Sequence, residues 1–328
     1  MDYSKMEMRD AFIQRLFEYA KKDRNIVFVS LDYGAPTLDD FRAELPNQFV
    51  NAAISEQNSI GMAAGLALKG KRVYVYSIAS FITLRCLEQI KLDLCAMENP
   101  VTIAAVGPCY AYSTDGPTHN ATEDVALMRS LQGMQVMSPS DASMSADMVE
   151  LSLKSKHPMY VRMDKGKFMC TSSSRTSLED GLEVIRPGKD VTLIATGTMV
   201  HEALNAADRL SQQGVSAQVV EIYRLKPLNV AKLVGALKGT PRIVTVEEHT
   251  INGGLGSILA EVLADNELFI PLKRLAVHDG LLYTKGIRSD LRRDRSIDAA
   301  AVVNAVLNWK KSPTVVDRSL YPSDLVNA

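Results

Sequence analysis

The sequence contains few residues of the kinds that form cross-links or bind metals. Its four cysteines include no CxxC pair, and no two of its five histidines are spaced as metal ligands. We therefore expect neither a disulfide framework nor a zinc site, and we assign no metal ligand to this chain. This cysteine usage fits a reducing compartment.

Long apolar runs and an excess of charge of one sign are also absent. No stretch of 18 apolar residues occurs, and the N-terminal amphipathic pattern lacks the apolar core of a secretory signal. The 37 Lys and Arg residues nearly balance the 38 Asp and Glu residues, so nothing favours binding to a polyanion such as nucleic acid. We expect a soluble, cytoplasmic protein that binds neither nucleic acid nor membrane.

Helical patterns alternate with short β-branched runs along the 328 residues, a length that indicates two domains. Continuous apolar strands between helices are typical of a parallel sheet covered on both faces. Residues 166–189 are rich in Ser, Gly and Lys, which predicts a linker. The sequence thus predicts an α/β fold of two doubly wound domains, residues 1–165 and the smaller 190–328. The pattern predicts strands at 26–31, 73–76, 101–106, 191–195, 217–222 and 243–246, and helices at 6–22, after Ser55, and at 82–97, 199–213, 229–238, 256–264 and 298–309.

An acidic residue stands at the start of one predicted helix. Glu56 follows Ser55, a residue type that caps helices, and precedes the small residues of GMAAG, which allow close packing. Glu56 is either a first-turn acid that interacts favourably with the helix dipole or a partly buried functional carboxylate. Spacing alone favours the first interpretation.

A second motif, Asp115-Gly116-Pro117-Thr118-His119, comes shortly after the predicted strand 101–106. Asp-Gly-Pro favours a turn, and ligands of open α/β sheets bind at the carboxyl ends of strands. These side chains therefore belong either to a ligand site or to a solvated loop. A third motif, GGLGS, only partly matches a dinucleotide loop, and tight packing of a strand against a helix is the favoured interpretation.

Taken in order, the motifs resemble a single family. Asp32, SEQNSIGMAAGLAL, an aromatic-bearing helix, STDGPTH, MSPSD and HPMYVRMDKG are similar to the pyrimidine-binding domain of transketolase and deoxyxylulose-phosphate synthase. The segments ATGTMVHEAL, VVEIYRLKPLN and VEEHTINGGLGS resemble the C-terminal domain of the same enzymes. The resemblance covers nearly the whole chain. It implies a pyrimidine-binding domain, a transketolase C-terminal type domain and the cofactor thiamine diphosphate.

The chain is shorter than those enzymes by one domain. The family binds the diphosphate and its metal through an N-terminal domain with a Gly-Asp-Gly motif and an Asn, and this sequence has no such motif. The chain therefore resembles the C-terminal subunit of a split transketolase. The resemblance implies a partner subunit that holds the diphosphate and Mg²⁺ or Ca²⁺, in a heterotetramer with two copies of each chain.

The resemblance assigns four residues to the cofactor. Glu56 takes the position of the catalytic glutamate, whose carboxyl group hydrogen-bonds the pyrimidine ring nitrogen and favours the imino tautomer that accepts the thiazolium proton. Phe81 resembles the ring that stacks on the aminopyrimidine. Tyr76 is a second candidate, because the segment that begins there carries one extra residue. Asp32 takes the acidic position after the first strand.

The resemblance assigns Asp115 and His119 to the substrate. In the family, the histidine at the position of His119 binds the oxygens at the reacting end of a ketose and is counted as catalytic. The aspartate at the position of Asp115 contacts the neighbouring hydroxyl group. Both residues are therefore expected to face the sugar.

Arginines are the candidates for binding a substrate phosphate. Arg9 and Arg162 match two phosphate-binding arginines of the family. Relatives carry a further cation where this sequence has Gly107 and Pro108. The phosphate is therefore held differently, with Arg85 as a candidate, or the substrate lacks it.

The expected activity is transfer of a two-carbon ketol unit from a ketose to an aldehyde, in carbohydrate metabolism and only with the partner subunit. The alternatives are a 2-oxoacid dehydrogenase β subunit, which DGPTH disfavours, and a deoxyxylulose-phosphate synthase-like enzyme, which the absent pocket cation disfavours. A non-catalytic partner is disfavoured by the intact motif residues. Glu247, Glu248 and His249 resemble structural and interface positions.

Overall fold

The computed structural model describes residues 3, 5–31, 34–171 and 178–309. The strands, in chain order, are β1 (Ile26–Ser30), β2 (Phe49–Asn51), β3 (Arg72–Ile78), β4 (Thr102–Val106), β5 (Gln135–Met137), β6 (Met159–Met163), β7 (Leu182–Arg186), β8 (Val191–Ala195), β9 (Ala217–Ile222), β10 (Arg224–Lys226), β11 (Ile243–Thr250) and β12 (Leu272–Val277). The helices are α1 (Met8–Ala20), α2 (Leu38–Glu44), α3 (Glu56–Leu68), α4 (Ala79–Leu84), α5 (Leu87–Gln89), α6 (Asp124–Ser130), α7 (Ala142–Lys154), α8 (Met199–Ser211), α9 (Val230–Ala236), α10 (Leu255–Asp265), α11 (Arg288–Asp294) and α12 (Ala299–Trp309).

The first sheet has seven strands in the order β10-β5-β6-β4-β3-β1-β2. All of its pairs are parallel except β10 with β5, which is antiparallel. Strands β1, β4 and β6 are buried along their whole length, which explains their continuous apolar sequence. Helices α1 and α7 cover one face, while α3, α4 and α6 cover the other.

The second sheet has five strands in the order β12-β11-β8-β9-β7. Its outer strand β7 is antiparallel to β9 and lies within residues 166–189, so the prediction that this whole region is a linker is wrong. The second sheet therefore begins at residue 182 rather than 190. Helices α8 and α12 pack on one face, and the core on the other face is continuous with the core of the first sheet.

The predicted helix over 82–97 is also wrong as a single element. The chain forms α4 and α5 and then a π-helical segment, Ile90–Ala96. The other predicted helices and strands are confirmed to within a few residues at their ends. Within the described residues, no helix combines the length and the apolar character needed to cross a bilayer.

Candidate active site

A cavity lies at the carboxyl ends of β1 and β3, the edge where an open α/β sheet binds ligands. Its volume is about 280 Å³. The residues that line it come from four separate stretches of the chain, and they are Leu31, Ile54, Glu56, Ser77, Ile78, Phe81 and Arg85. Two of the predicted cofactor residues, Glu56 and Phe81, are therefore brought together.

Glu56 is the first residue of α3 and is only 6% exposed. Ser55 precedes the helix as predicted, but its hydroxyl donates to the carbonyl of Ala52 and does not cap the helix. Arg85 donates from Nη1 to Oε2 of Glu56 over 2.8 Å. The carboxylate is thus buried at a helix N-terminus and paired with a guanidinium group, so it is more than a surface acid in the first turn.

Phe81 connects the carboxylate to the second motif. The guanidinium carbon of Arg85 lies 4.8 Å from the centroid of the Phe81 ring, and the His119 ring lies edge-on to Phe81 with the centroids 5.0 Å apart. Glu56 and His119, which are separated by more than 60 residues in the sequence, are therefore linked through Arg85 and the Phe81 ring.

The Asp115–His119 segment forms the turn that its composition predicts. The backbone N–H of His119 donates to the carbonyl of Gly116, which has a φ of +80°, a conformation that glycine adopts easily. The hydroxyl of Thr118 lies 3.0 Å from Nδ1 of His119. Asp115 is exposed, and His119 is half-buried against the Phe81 ring.

Tyr76 does not belong to this site. Successive residues of a strand face opposite sides of the sheet, so Ser77 lines the cavity while Tyr76 is fully buried on the other face and stacks on Phe28 with centroids 5.9 Å apart. Phe81 is therefore the ring that lines the cavity. The predicted cofactor residue Asp32 lies outside the described residues.

The structure pairs each of the three predicted phosphate-binding arginines with at least one carboxylate. Arg9 is paired with Glu7 and Asp10 on its own helix, and Arg85 is paired with Glu56. Arg162 is buried and paired with Asp124.

Arg162 is held in a buried ion pair. Its Nε donates to Asp124 over 2.7 Å and its Nη2 donates to the carbonyl of Glu248 over 3.0 Å. The hydroxyl of Tyr160 also donates to Asp124, over 2.7 Å. Burial alone would lower the pKa of Arg162, but the adjacent carboxylate of Asp124 raises it well above its usual value. Arg162 therefore stabilises the fold where the two sheets meet.

A network of buried charges continues from this pair into the second half of the chain. Arg288 bridges Asp164 and Glu248, and Arg292 also pairs with Glu248. Burial would raise the pKa of the Glu248 carboxyl, but the two arginines hold it below its usual range. These contacts give Glu248 a structural role within the chain.

Glu247 and His249 are buried beside this network. Burial raises the pKa of Glu247 to about 7, although its carboxylate accepts the backbone N–H groups of Leu255 and Gly256 at the start of α10. Burial lowers the pKa of His249 to about 4. A Cβ added at Gly254 would lie 2.1 Å from Glu247, so the glycines of GGLGS serve close packing rather than binding of a dinucleotide.

Sequence reasoning missed three residues near His119. The Tyr112 ring lies 5.8 Å from the His119 ring and fills the space beside Gly107, where a Cβ would lie 2.0 Å from it. The Lys165 ammonium lies 4.2 Å from the centroid of Tyr112. The side chain of Lys285, from the second half of the chain, lies against Gly116, 3.6 Å from where a Cβ would stand. The sequence signal that could have predicted Lys165 is the Asp-Lys-Gly run that follows the strand carrying Arg162.

The cavity suits the pyrimidine end of thiamine diphosphate. A carboxylate and an aromatic face line the same small space, and a planar ring with nitrogen donors and acceptors needs both. The residues that would hold this ring are Glu56 and Phe81. Among the described residues, no cluster of three or more His, Cys, Asp or Glu side chains could hold a metal ion.

Comparison with known proteins gives the family. The transketolase pyrimidine-binding domain matches residues 4–170, and the transketolase C-terminal domain matches residues 180–302. The chain belongs to the transketolase family. Both predicted domain types and the predicted α/β fold are confirmed.

Two relatives of this transketolase-family chain have a similar length. It is 36% identical to one of the subunits of the apulose-4-phosphate transketolase of Phocaeicola vulgatus, over 83% of this chain and 87% of that protein. It is 33% identical to a putative transketolase C-terminal section of Methanocaldococcus jannaschii, over 93% of this chain and 96% of that protein. The resemblance to the C-terminal subunit of a split transketolase is therefore confirmed.

A solved structure named as a split gene transketolase in an inactive beta4 tetramer has a TM-score of 0.83 and 35% identity to this chain. The alignment covers 93% of this chain and 98% of that one. In contrast, the deoxyxylulose-phosphate synthase of Desulfotalea psychrophila is 31% identical, but the match covers only 48% of its length.

Proposed function

We propose that this chain is the subunit of a split transketolase that binds the pyrimidine end of thiamine diphosphate and transfers a two-carbon ketol unit from a ketose to an aldehyde. One observation carries the proposal: Glu56 and Phe81 line one cavity, and the His119 ring contacts the Phe81 ring with the centroids 5.0 Å apart. Similarity to a relative named as part of an apulose-4-phosphate transketolase supports a phosphorylated sugar as substrate.

Each residue of the site has a distinct part in this reaction. Glu56 and Phe81 would hold the pyrimidine ring of thiamine diphosphate, and the cofactor would supply the carbanion chemistry that the transfer needs. Glu56 would hydrogen-bond the pyrimidine ring nitrogen through its carboxyl group. Phe81 orients the ring. His119, between Phe81 and Tyr112, is placed to hydrogen-bond the sugar oxygens and to move a proton to or from them.

Two lysines replace the predicted arginines as partners of the anionic end of the sugar. Lys165 and Lys285 stand beside Tyr112 and Gly116, on the side of the site that carries Asp115 and His119. An ammonium group acts on a phosphate as a compact point charge on a flexible stem. Asp115 is exposed on the same loop and is placed to accept a hydrogen bond from a sugar hydroxyl.

A partner subunit completes the cofactor site in this proposal. The surface around Glu56 and Arg85 carries three large apolar side chains that are exposed in this chain: Ile54, Leu84 and Leu92. An apolar patch beside a site marks a protein interface. We assign this face to the diphosphate-binding subunit, which would hold Mg²⁺ or Ca²⁺ in a cytoplasmic heterotetramer with two copies of each chain.

Co-expression with a diphosphate-binding subunit tests this function. The complex is assayed for ketol transfer from xylulose 5-phosphate to ribose 5-phosphate, with wild type, Glu56→Gln and the control Glu44→Gln. Glu44 is paired with Lys21 on the surface, so its variant is expected to match wild type. Glu56→Gln is expected to assemble normally and to lose at least about 100-fold of activity, because an amide cannot exchange a proton with the ring nitrogen.

Two results would contradict the proposal. Near-normal turnover by Glu56→Gln in an assembled complex would show that Glu56 is only a structural acid. Decarboxylation of 2-oxoacids with an artificial electron acceptor, in the absence of ketol transfer, would instead identify a 2-oxoacid dehydrogenase subunit.

A further inference from the structure

Arg85 occupies both of the surfaces that the proposed cofactor ring needs. Its Nη1 donates to Oε2 of Glu56 over 2.8 Å, and its guanidinium carbon lies 4.8 Å from the centroid of Phe81. One side chain thus contacts both the carboxylate and the aromatic ring. A pyrimidine ring that stacked on the same face of Phe81 and bonded Oε2 of Glu56 would compete with the guanidinium group for this position.

A guanidinium group can take the place of an aminopyrimidine because their chemistry is similar. Both are flat, both present N–H donors in their plane, and both stack on aromatic faces. Before the cofactor binds, the buried carboxylate of Glu56 would otherwise lack a donor, and an unpartnered buried charge is costly. Arg85 therefore stabilises the very residue that the cofactor requires.

A neighbouring groove offers the side chain of Arg85 an alternative position. It is 45% exposed, so it can leave without opening the core. Arg85 also lines a neighbouring groove of about 940 Å³, on which Gln57, Glu88 and Gln89 stand. A guanidinium group that turns into this groove finds a carboxylate and two amide side chains as new hydrogen-bond partners.

We propose that Arg85 is a positioning residue that fills the pyrimidine site and keeps Glu56 paired, and that it turns into the adjacent groove when thiamine diphosphate binds. This inference rests on the proposed function. It predicts that cofactor binding must first separate Arg85 from Glu56, so that the pair lowers the affinity for the cofactor.

The test measures the dissociation constant of thiamine diphosphate by calorimetry, with Mg²⁺ and the assembled heteromer. Arg85→Leu is expected to bind about tenfold more tightly than wild type. Arg42→Leu is a matched control, because Arg42 pairs with Asp39 over 2.8 Å, lies 5.3 Å from the Phe49 ring and is 43% exposed, but does not line the cavity. It is expected to bind as wild type does.

Each possible result either supports the inference about Arg85 or overturns it. Equal or weaker binding by Arg85→Leu overturns the inference, since Arg85 then does not compete or instead holds the bound cofactor. If that variant does not assemble, Arg85→Lys keeps the charge without the planar fork and is expected to bind about threefold more tightly; no change overturns the inference. A heteromer of wild type that binds no cofactor overturns the proposed function itself.

A crystal structure of the heteromer with thiamine diphosphate gives a readout that does not depend on affinity. The guanidinium carbon of Arg85 is expected beyond about 6 Å from the Phe81 centroid, outside cation–π range. If it remains against Phe81 and Glu56 beside the bound ring, the inference is wrong while the cofactor assignment stands.

Discussion

Replacing Arg162 shows whether this residue stabilises the fold or binds the substrate. The family resemblance assigns this residue to a phosphate, whereas the structure places it in a buried pair with Asp124. In Arg162→Leu, the buried carboxylate keeps the Tyr160 hydroxyl but loses its cation. Removing one member of a buried pair costs about 3–5 kcal/mol. We expect the free energy of unfolding to fall by that amount.

Urea denaturation of the purified chain measures the loss. Arg186→Leu is the control, because Arg186 forms a partly exposed pair with Asp208, and such pairs contribute about 0–1 kcal/mol. The double variant Arg162→Leu with Asp124→Leu should recover much of the stability, since no unpaired charge remains buried. The reasoning fails if Arg162→Leu loses under about 1 kcal/mol while the KM for a phosphorylated ketose rises.

Four further predictions concern the pH dependence of stability at His249 and at Glu247, the residues beside His119, and the isolated chain. Burial lowers the pKa of His249 from 6.5 to about 4, so the folded protein should lose roughly 3 kcal/mol of stability as pH falls from 6.5 to 4. Urea denaturation across this pH range should show that His249→Gln lacks this loss. Burial raises the pKa of Glu247 from 4.5 to about 7, so the wild-type protein should lose stability as pH rises from 4.5 to 7. Glu247→Gln should not show this loss. Lys165→Gln and Tyr112→Leu should both raise the KM for phosphorylated ketoses. The increase for Lys165→Gln should be about tenfold, because a charged hydrogen bond is lost. An unchanged KM would show that Lys165 does not belong to the substrate site. The isolated chain should bind thiamine diphosphate weakly in calorimetry with Mg²⁺, and sub-micromolar binding would contradict the need for a partner.

The central strands could be predicted from sequence because each is a run of apolar residues buried on both sides. The shortest strands could not be predicted in this way. Strands β2, β5 and β10 have only three residues each, too few to show a period of two. Strand β7 has the sequence pattern of a linker because its residues are mostly half-exposed and its sequence, LEVIR, is not uniformly apolar.

The residues of the candidate site could be predicted where they lie in recognisable sequence motifs. They could not be predicted where their contacts depend on how distant segments of the chain pack. Glu56, Phe81, Asp115 and His119 lie in motifs that resemble the family. Arg162 shows no sign in its own segment of the carboxylate that pairs with it, since that carboxylate is 38 residues away. Likewise, Lys285 approaches Gly116 only because the second half of the chain folds against the first.

Strand β10 has a consequence for dissecting this protein. It follows β9 directly, yet it leaves the sheet of β9 and pairs with β5 at the edge of the other sheet. A fragment that stops between the two matched domains would expose the backbone of β5, and bare strand edges promote aggregation. A cut at the boundary suggested by domain matching would therefore produce an insoluble first half, whereas a chain kept intact through residue 226 would retain the covering strand.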